Sequence, residues 1–208
     1  MLRTLFRQLG VSLAEPRPLT GAILSADGTL QQALVIGAFA AKTYEEAFAA
    51  DFLNGEAAAK AQPGTKVGEL EWKTMESDAD GIFTLNSLSS DPQALNAAAY
   101  LSFWVFCPRT DDLLENPRGA KIDLHAASDD GMKIWYNGKP ALDAAAPRPI
   151  SDPPFLIKRL SLNRGWNHFL IKVANTHGDW KFRGRLQCPD PELAPLLETA
   201  LFPETSNP

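Results

Sequence analysis

The sequence predicts an all-β fold, a two-sheet β-sandwich with Greek-key or jelly-roll wiring. Three observations predict it. Two turn signals, Asp130-Gly131 and Asn137-Gly138, bracket the strand-like run Met132–Tyr136, and such dipeptides suit hairpin turns because Gly, Asn and Asp tolerate positive φ. Three further runs, Lys121–Ala126, His168–Val173 and Trp180–Leu186, alternate apolar and polar side chains with the period of a pleated strand. The run Ala99–Phe106, AYLSFWVF, is apolar on both faces, as a central strand covered on both sides requires. Together with its neighbours this makes roughly eight or nine short strands and little helix, the pattern of a sandwich.

Taken in order, residues 1–20 form an N-terminal extension, 21–188 the sandwich and 189–208 a C-terminal tail. Ala22–Leu24 is a short strand inside a Pro- and Gly-rich loop, and Ala33–Phe39 reads as a buried strand. Thr43–Lys60 is the one long helical candidate before the tail, with Asn54-Gly55 breaking it in the middle. Lys66–Lys73 and Gly81–Leu85 read as strands around an acidic turn at Glu76–Asp80. Asp91–Asn96 is a short helix or turn, and Arg109–Gly119 an insertion loop after the stop at Pro108. Beyond Lys121–Ala126, Pro140–Pro154 reads as a loop, Phe155–Leu162 as a further strand and Pro191–Leu201 as a short helix. No period of roughly 20 to 50 residues recurs, which excludes a solenoid or propeller.

With 208 residues and 22% charged side chains, the chain can bury a sizeable core and is neither disordered nor fibrous. A net charge of −5 argues against a nucleic-acid binder, which needs a basic footprint. No apolar run is long enough to span a bilayer. At the N-terminus Arg3 and Arg7 interrupt the apolar residues, so no convincing secretory signal forms. Leu2, Leu5, Phe6 and Leu9 recur there at helical spacing, suiting residues 1–13 to a helix on a partner, on a membrane surface or on the domain itself. Cys107 and Cys188 each precede a proline at the end of a strand, a placement compatible with a disulfide or with two buried thiols.

The order of motifs, ALVIGAF, EWK, the AAY-led strand, SDDGMKIWYNGK, LNRGWNHFLIKVAN and GDWKFRGRL, resembles the jelly-roll modules appended to bacterial glycan-active enzymes, the galactose-binding-like and protective-antigen-type domains. The resemblance covers about Leu34–Leu186. It implies a non-catalytic module, in several cases carbohydrate-binding, sometimes through calcium, and a periplasmic or extracellular location. Gly37-Ala38-Phe39 departs from the Gly-Pro-Phe such modules often carry, and no catalytic domain accompanies the module.

Candidate ligand-binding residues gather around the central hairpin. Asp129 and Asp130 can offer hard oxygen ligands to calcium or stabilise their own turn. Trp135, on the same side of its strand as Lys133, can offer a flat face to a sugar or join a core, and Asn137 can bond a hydroxyl or serve its turn. Trp166 and Trp180 are aromatic alternatives, with Trp180 on the apolar side of its strand. Lys181, Arg183 and Arg185 form a cationic row able to receive an anionic glycan or a partner's carboxylates, or to remain a solvated face. No GxSxG, HExxH, phosphate-cradling glycine loop or CxxC is present, and the three histidines lack metal-ligand spacing. Two functional expectations follow. One is a non-catalytic carbohydrate-binding module. The other is a structural accessory subunit that docks onto a larger, membrane-bound or soluble assembly through Leu2, Leu5, Phe6, Leu9 and the cationic row.

Overall fold

A computed structural model describes residues 17–90, 96–109 and 120–203. In chain order its strands begin with β1 (Arg17–Pro18), β2 (Gln32–Ala40), β3 (Lys66–Val67), β4 (Leu70–Glu71), β5 (Lys73–Glu76), β6 (Phe83–Thr84) and β7 (Ala97–Cys107). They continue with β8 (Lys121–Asp129), β9 (Gly131–Tyr136), β10 (Lys139–Ala144), β11 (Phe155–Ser161), β12 (Gly165–Asn175), β13 (Lys181–Cys188) and β14 (Glu198–Ala200). The protein is an all-β sandwich. One sheet runs β1-β13-β8-β11 with β6 beside β13, and the other runs β10-β9-β12-β7-β2-β5 with β14 beside β7. Strands β7, β8, β9, β11, β12 and β13 pass repeatedly from one sheet to the other, and every pairing is antiparallel.

The alternation in the sequence decides what lies between the sheets. Ile122, Leu124 and Ala126 of β8 and Phe182 and Leu186 of β13 face Met132, Ile134, Leu101, Phe103, Phe169, Ile171 and Val173 of the other sheet. Phe103 and Phe169, directly opposite each other on β7 and β12, stack at 4.8 Å. Each such ring adds about 1.5–3 kcal/mol by leaving water. Trp180 is fully buried, and its indole N–H donates to Val173 O. Strand β7 lies inside its sheet and is buried on both faces, as its doubly apolar sequence requires.

The two turn signals do different work. Asn137-Gly138 closes a two-residue hairpin between β9 and β10, with φ of 49° and 75° at the two positions. Asp130-Gly131 is not a hairpin: β8 and β9 belong to different sheets, and Asp130 is the single residue on which the chain crosses between them. Glycine is needed at 131 because a Cβ would lie 2.0 Å from Tyr44 Oη.

Other expectations change in the structure. The long helix shrinks to α1 (Tyr44–Ala49), capped by Thr43 Oγ1, and a 3-10 turn at Glu56–Ala58. The helix stops before Asn54-Gly55, because Ala50 is extended and Asp51 accepts from the backbone N–H groups of Leu53, Gly55 and Glu56. A strand, β10, occupies part of the expected 140–154 loop, bulged at Pro140–Leu142 because proline cannot donate to the ladder. The C-terminal helix is a 3-10 turn at Ala194–Leu196 followed by β14, which hydrogen-bonds to β7. Segment 22–24 makes only isolated bridges, while β1 pairs with β13 and Leu19 joins the core. Both termini of the described chain are thus built into the sandwich. Cys107 and Cys188 are buried thiols not joined in a disulfide, and burial pushes the Cys188 thiol up to about 11. The expectations for 1–16, 91–95, 110–119 and 204–208, including those for Leu2, Leu5, Phe6 and Leu9, fall outside the described residues.

Candidate functional site

The two outer faces of the sandwich are treated differently. On the seven-stranded sheet, Leu34, Ile36, Tyr100, Trp135 and Leu170 form a second apolar layer with Trp72 and Ala61. Residues 41–65 lie over it, bringing Phe52, Leu53 and Ala59 into contact, and Leu201 and Phe202 pack there as well. Even Lys172, at an outward position of β12, is completely buried. Among the described residues no comparable apolar layer covers the outer face of the five-stranded sheet.

On that open face the register places Arg185 opposite His125 and His125 opposite Leu156, with Thr29 bridged to Arg185 on the far side. Leu156 is 41% exposed. Arg183, two residues before Arg185, points the same way by the strand period, about 7 Å along the strand. Arg183, Arg185 and His125 form the floor of a polar groove of about 320 Å³, with Asp27, Thr29 and Asp80 on one rim and Pro154 on the other. Asp27 is held by Ser25 Oγ, Thr29 N and Thr29 Oγ1. Those hydrogen bonds, aided by the charge of Arg185, hold its carboxyl below the usual carboxylate range. His125 Nε2 lies 3.0 Å from Gln187 Oε1. Among the described residues neither Arg183 nor Arg185 is in an ion pair. The groove therefore combines two available guanidinium forks, an imidazole and two carboxylates: donors and acceptors together.

The hairpin candidates are placed otherwise. Trp135 keeps the sheet face expected of it, but that face is covered: only 8% of it is exposed, so it has no flat face to offer a sugar. Lys133 lies over the Phe48 ring at 4.6 Å and within 3.7 Å of Asp143. The Asn137 side chain is taken up by the neighbouring strand β12. Its Oδ1 accepts from His168 N at 2.8 Å and its Nδ2 donates to Asn167 Oδ1 at 2.9 Å.

Asp130 is buried, and its Oδ2 accepts from both Thr176 N and Thr176 Oγ1. Asp129 accepts from Ile150 N at 3.4 Å. Burial, with Asp130 and Asp179 nearby, raises its pKa above the ordinary value. These two carboxylates are chemically suited to calcium, which takes six to eight oxygen ligands. Among the described residues no group of three or more His, Cys, Asp or Glu side chains is assembled for a metal.

Of the cationic row, Arg183 and Arg185 meet in the groove, whereas Lys181 is paired with Asp179 at 2.6 Å. Alternation in the sequence makes the two arginines and His125 share a face. Nothing local in the sequence marks Asp27 and Asp80, which reach the rim through loop placement. Sequence reading also missed Ser102 Oγ, 2.8 Å from His168 Nε2. Both are buried, and His168 is stacked on Trp104 at 4.3 Å. Burial lowers the His168 pKa to about 4. A serine with no solvent access makes this a packed cross-strand pair rather than a reactive centre.

No protein-family profile matches the chain and no curated protein matches it. Among solved structures, the chain is similar to the PA14 domain of an antifreeze protein, at 16% identity and a TM-score of 0.37, covering 58% of this chain and 60% of that one. A beta-glucuronidase from an uncultured Clostridium sp. gives 11% identity and a TM-score of 0.45, over 82% of this chain and 30% of that one. For Ruminococcus gnavus beta-glucuronidase the values are 11% and 0.43, over 84% and 30%. The chain thus spans less than two thirds of each of these proteins, and the functional reading rests on the residues of the groove.

Proposed function

We propose that the protein is a non-catalytic binding module of carbohydrate-binding type, using the open face of the five-stranded sheet. The observation that supports this is the contrast between the two outer faces: one is sealed by residues 41–65, and the other presents a polar groove floored by Arg183, Arg185 and His125. Fixed side chains on a rigid sheet can bond sugar hydroxyls without reordering on binding. The groove is lined mainly by charged and polar side chains on a sheet and its braced loops, an arrangement suited to holding a polar ligand. Affinity electrophoresis of the full chain through gels containing neutral and acidic polysaccharides, with calcium and with chelator, tests the reading. Retardation by at least one polysaccharide is expected, and migration unaffected by every one of them overturns it. The chelator arm asks separately whether Asp129 and Asp130 recruit calcium.

A second reading is favoured by one observation. Strand β1 is the edge of the same sheet, so Arg17, where the described residues begin, stands at the side of the open face. An accessory subunit docked on a larger assembly would use that edge. Removal of residues 1–16 without any change in the native co-purifying partners would eliminate it.

A further inference from the structure

We infer that the groove on the open face selects a saccharide bearing a carboxylate, a hexuronic-acid unit, over both neutral sugars and polyanions; the inference rests on the binding-module reading above. The argument is one of charge balance. Arg185 has the carboxylate of Asp27 for a neighbour, close enough for its charge to help keep Asp27 ionised. Arg183 lines the same groove and, among the described residues, has no carboxylate in an ion pair with it. A neutral sugar leaves that guanidinium without an ion-paired carboxylate. A ligand carrying one carboxylate can meet it with two parallel charge-assisted N–H···O bonds.

The rim sets the opposite limit. Asp27 and Asp80 place two carboxylates within the same 320 Å³. They repel a densely anionic ligand such as a sulfated glycan or an acidic peptide, and they accept hydrogen bonds from hydroxyl donors. Ser25 and Thr29 hold Asp27 in place, and the backbone N–H of Asp80 is tied to Asp78 Oδ1, so the acceptors stand on braced loops. His125, held at Nε2 beside Gln187, adds one more polar contact on the floor. One carboxylate among several hydroxyls satisfies both halves of the groove. A ligand with only one of these features satisfies half.

The test is isothermal titration of the full chain with three probes: an oligogalacturonate, a neutral galacto-oligosaccharide of equal length and a heparin-derived oligosaccharide. The oligogalacturonate is expected to bind about ten-fold or more tighter than the neutral probe, the scale of one charge-assisted pair. That preference is expected to shrink as salt is raised, and Arg183→Gln is expected to bring the ratio of the two affinities close to one. Because Arg183 is on an outer face, thermal melting of the variant verifies that it is folded. Equal affinity for neutral and carboxylated probes, or a preference that survives Arg183→Gln, overturns the inference while leaving the binding-module reading intact. Tightest binding of the heparin fragment overturns the selecting role of Asp27 and Asp80. No heat from any probe, with no retardation by any polysaccharide in the gels, overturns both.

Discussion

Lys172 Nζ lies 3.2 Å from Glu56 Oε1, and the lysine is completely buried. The ammonium also donates to Ala50 O and sits 5.1 Å from the Phe52 ring and 5.5 Å from that of Tyr100. Tyr100 donates to the same glutamate oxygen. The pair pins residues 41–65 to the middle of the seven-stranded sheet. Removing only the acid leaves a buried, uncompensated cation. Glu56→Ala is expected to cost about 3–5 kcal/mol in urea unfolding, and the double change Lys172→Met with Glu56→Gln much less, because no buried charge remains. Equal losses from the single and the double change would show that the charge is not what matters.

Gly131 marks the crossing between sheets at its tightest point. Gly131→Ala is expected to cost about 1–3 kcal/mol, since the new methyl meets the Tyr44 hydroxyl. Tyr44→Phe removes that oxygen together with its hydrogen bond to Ala145 O. The double variant is expected to lose less than the sum of the two single losses, with a coupling of about 0.5 kcal/mol or more. Strict additivity would place the clash elsewhere.

His168 predicts a pH dependence. Its folded-state pKa, lowered by burial to about 4, is below the ordinary 6.5, so the folded protein favours the neutral ring and the unfolded chain binds the extra proton. The stability this group contributes is present above pH 6.5 and is lost as pH falls toward 4, a total of up to about 3 kcal/mol. His168→Gln, which can still bond Ser102 but cannot titrate, should flatten that part of the stability profile. Parallel profiles for parent and variant between pH 6.5 and 4 would contradict it.

Trp135 separates packing from recognition. Trp135→Ala is expected to destabilise the fold by about 3–5 kcal/mol, the cost of a large cavity in the layer beneath residues 41–65. Any polysaccharide that retards the parent should retard the folded variant equally, because the groove is on the other sheet. Loss of retardation with no loss of stability would return Trp135 to the binding face.

How far the sequence carries this far depends on the range of the interaction. Strands β8, β9, β12 and β13 were legible because a period-2 pattern and a glycine turn are local, β7 because a doubly apolar run is local too, and the shared face of His125, Arg183 and Arg185 followed once the register was known. The Asn137-Gly138 hairpin was legible for the same reason. Asp130-Gly131 was not, because the same dipeptide signal serves a hairpin or a crossing between sheets, and only the destination of β9 distinguishes them.

By itself, then, the sequence determined that this chain alternates into antiparallel strands and which side chains of each strand share a face, since both follow from backbone geometry within a few residues. Tertiary structure alone decided which segments cover those faces. Residues 41–65 fold over one sheet and bury Trp135 and Lys172, while on the other, which no described segment covers in this way, Asp27 and Asp80 are brought to the arginines. Burial of a strand's outer face depends on segments distant in the chain, and no local pattern encodes where they come to rest.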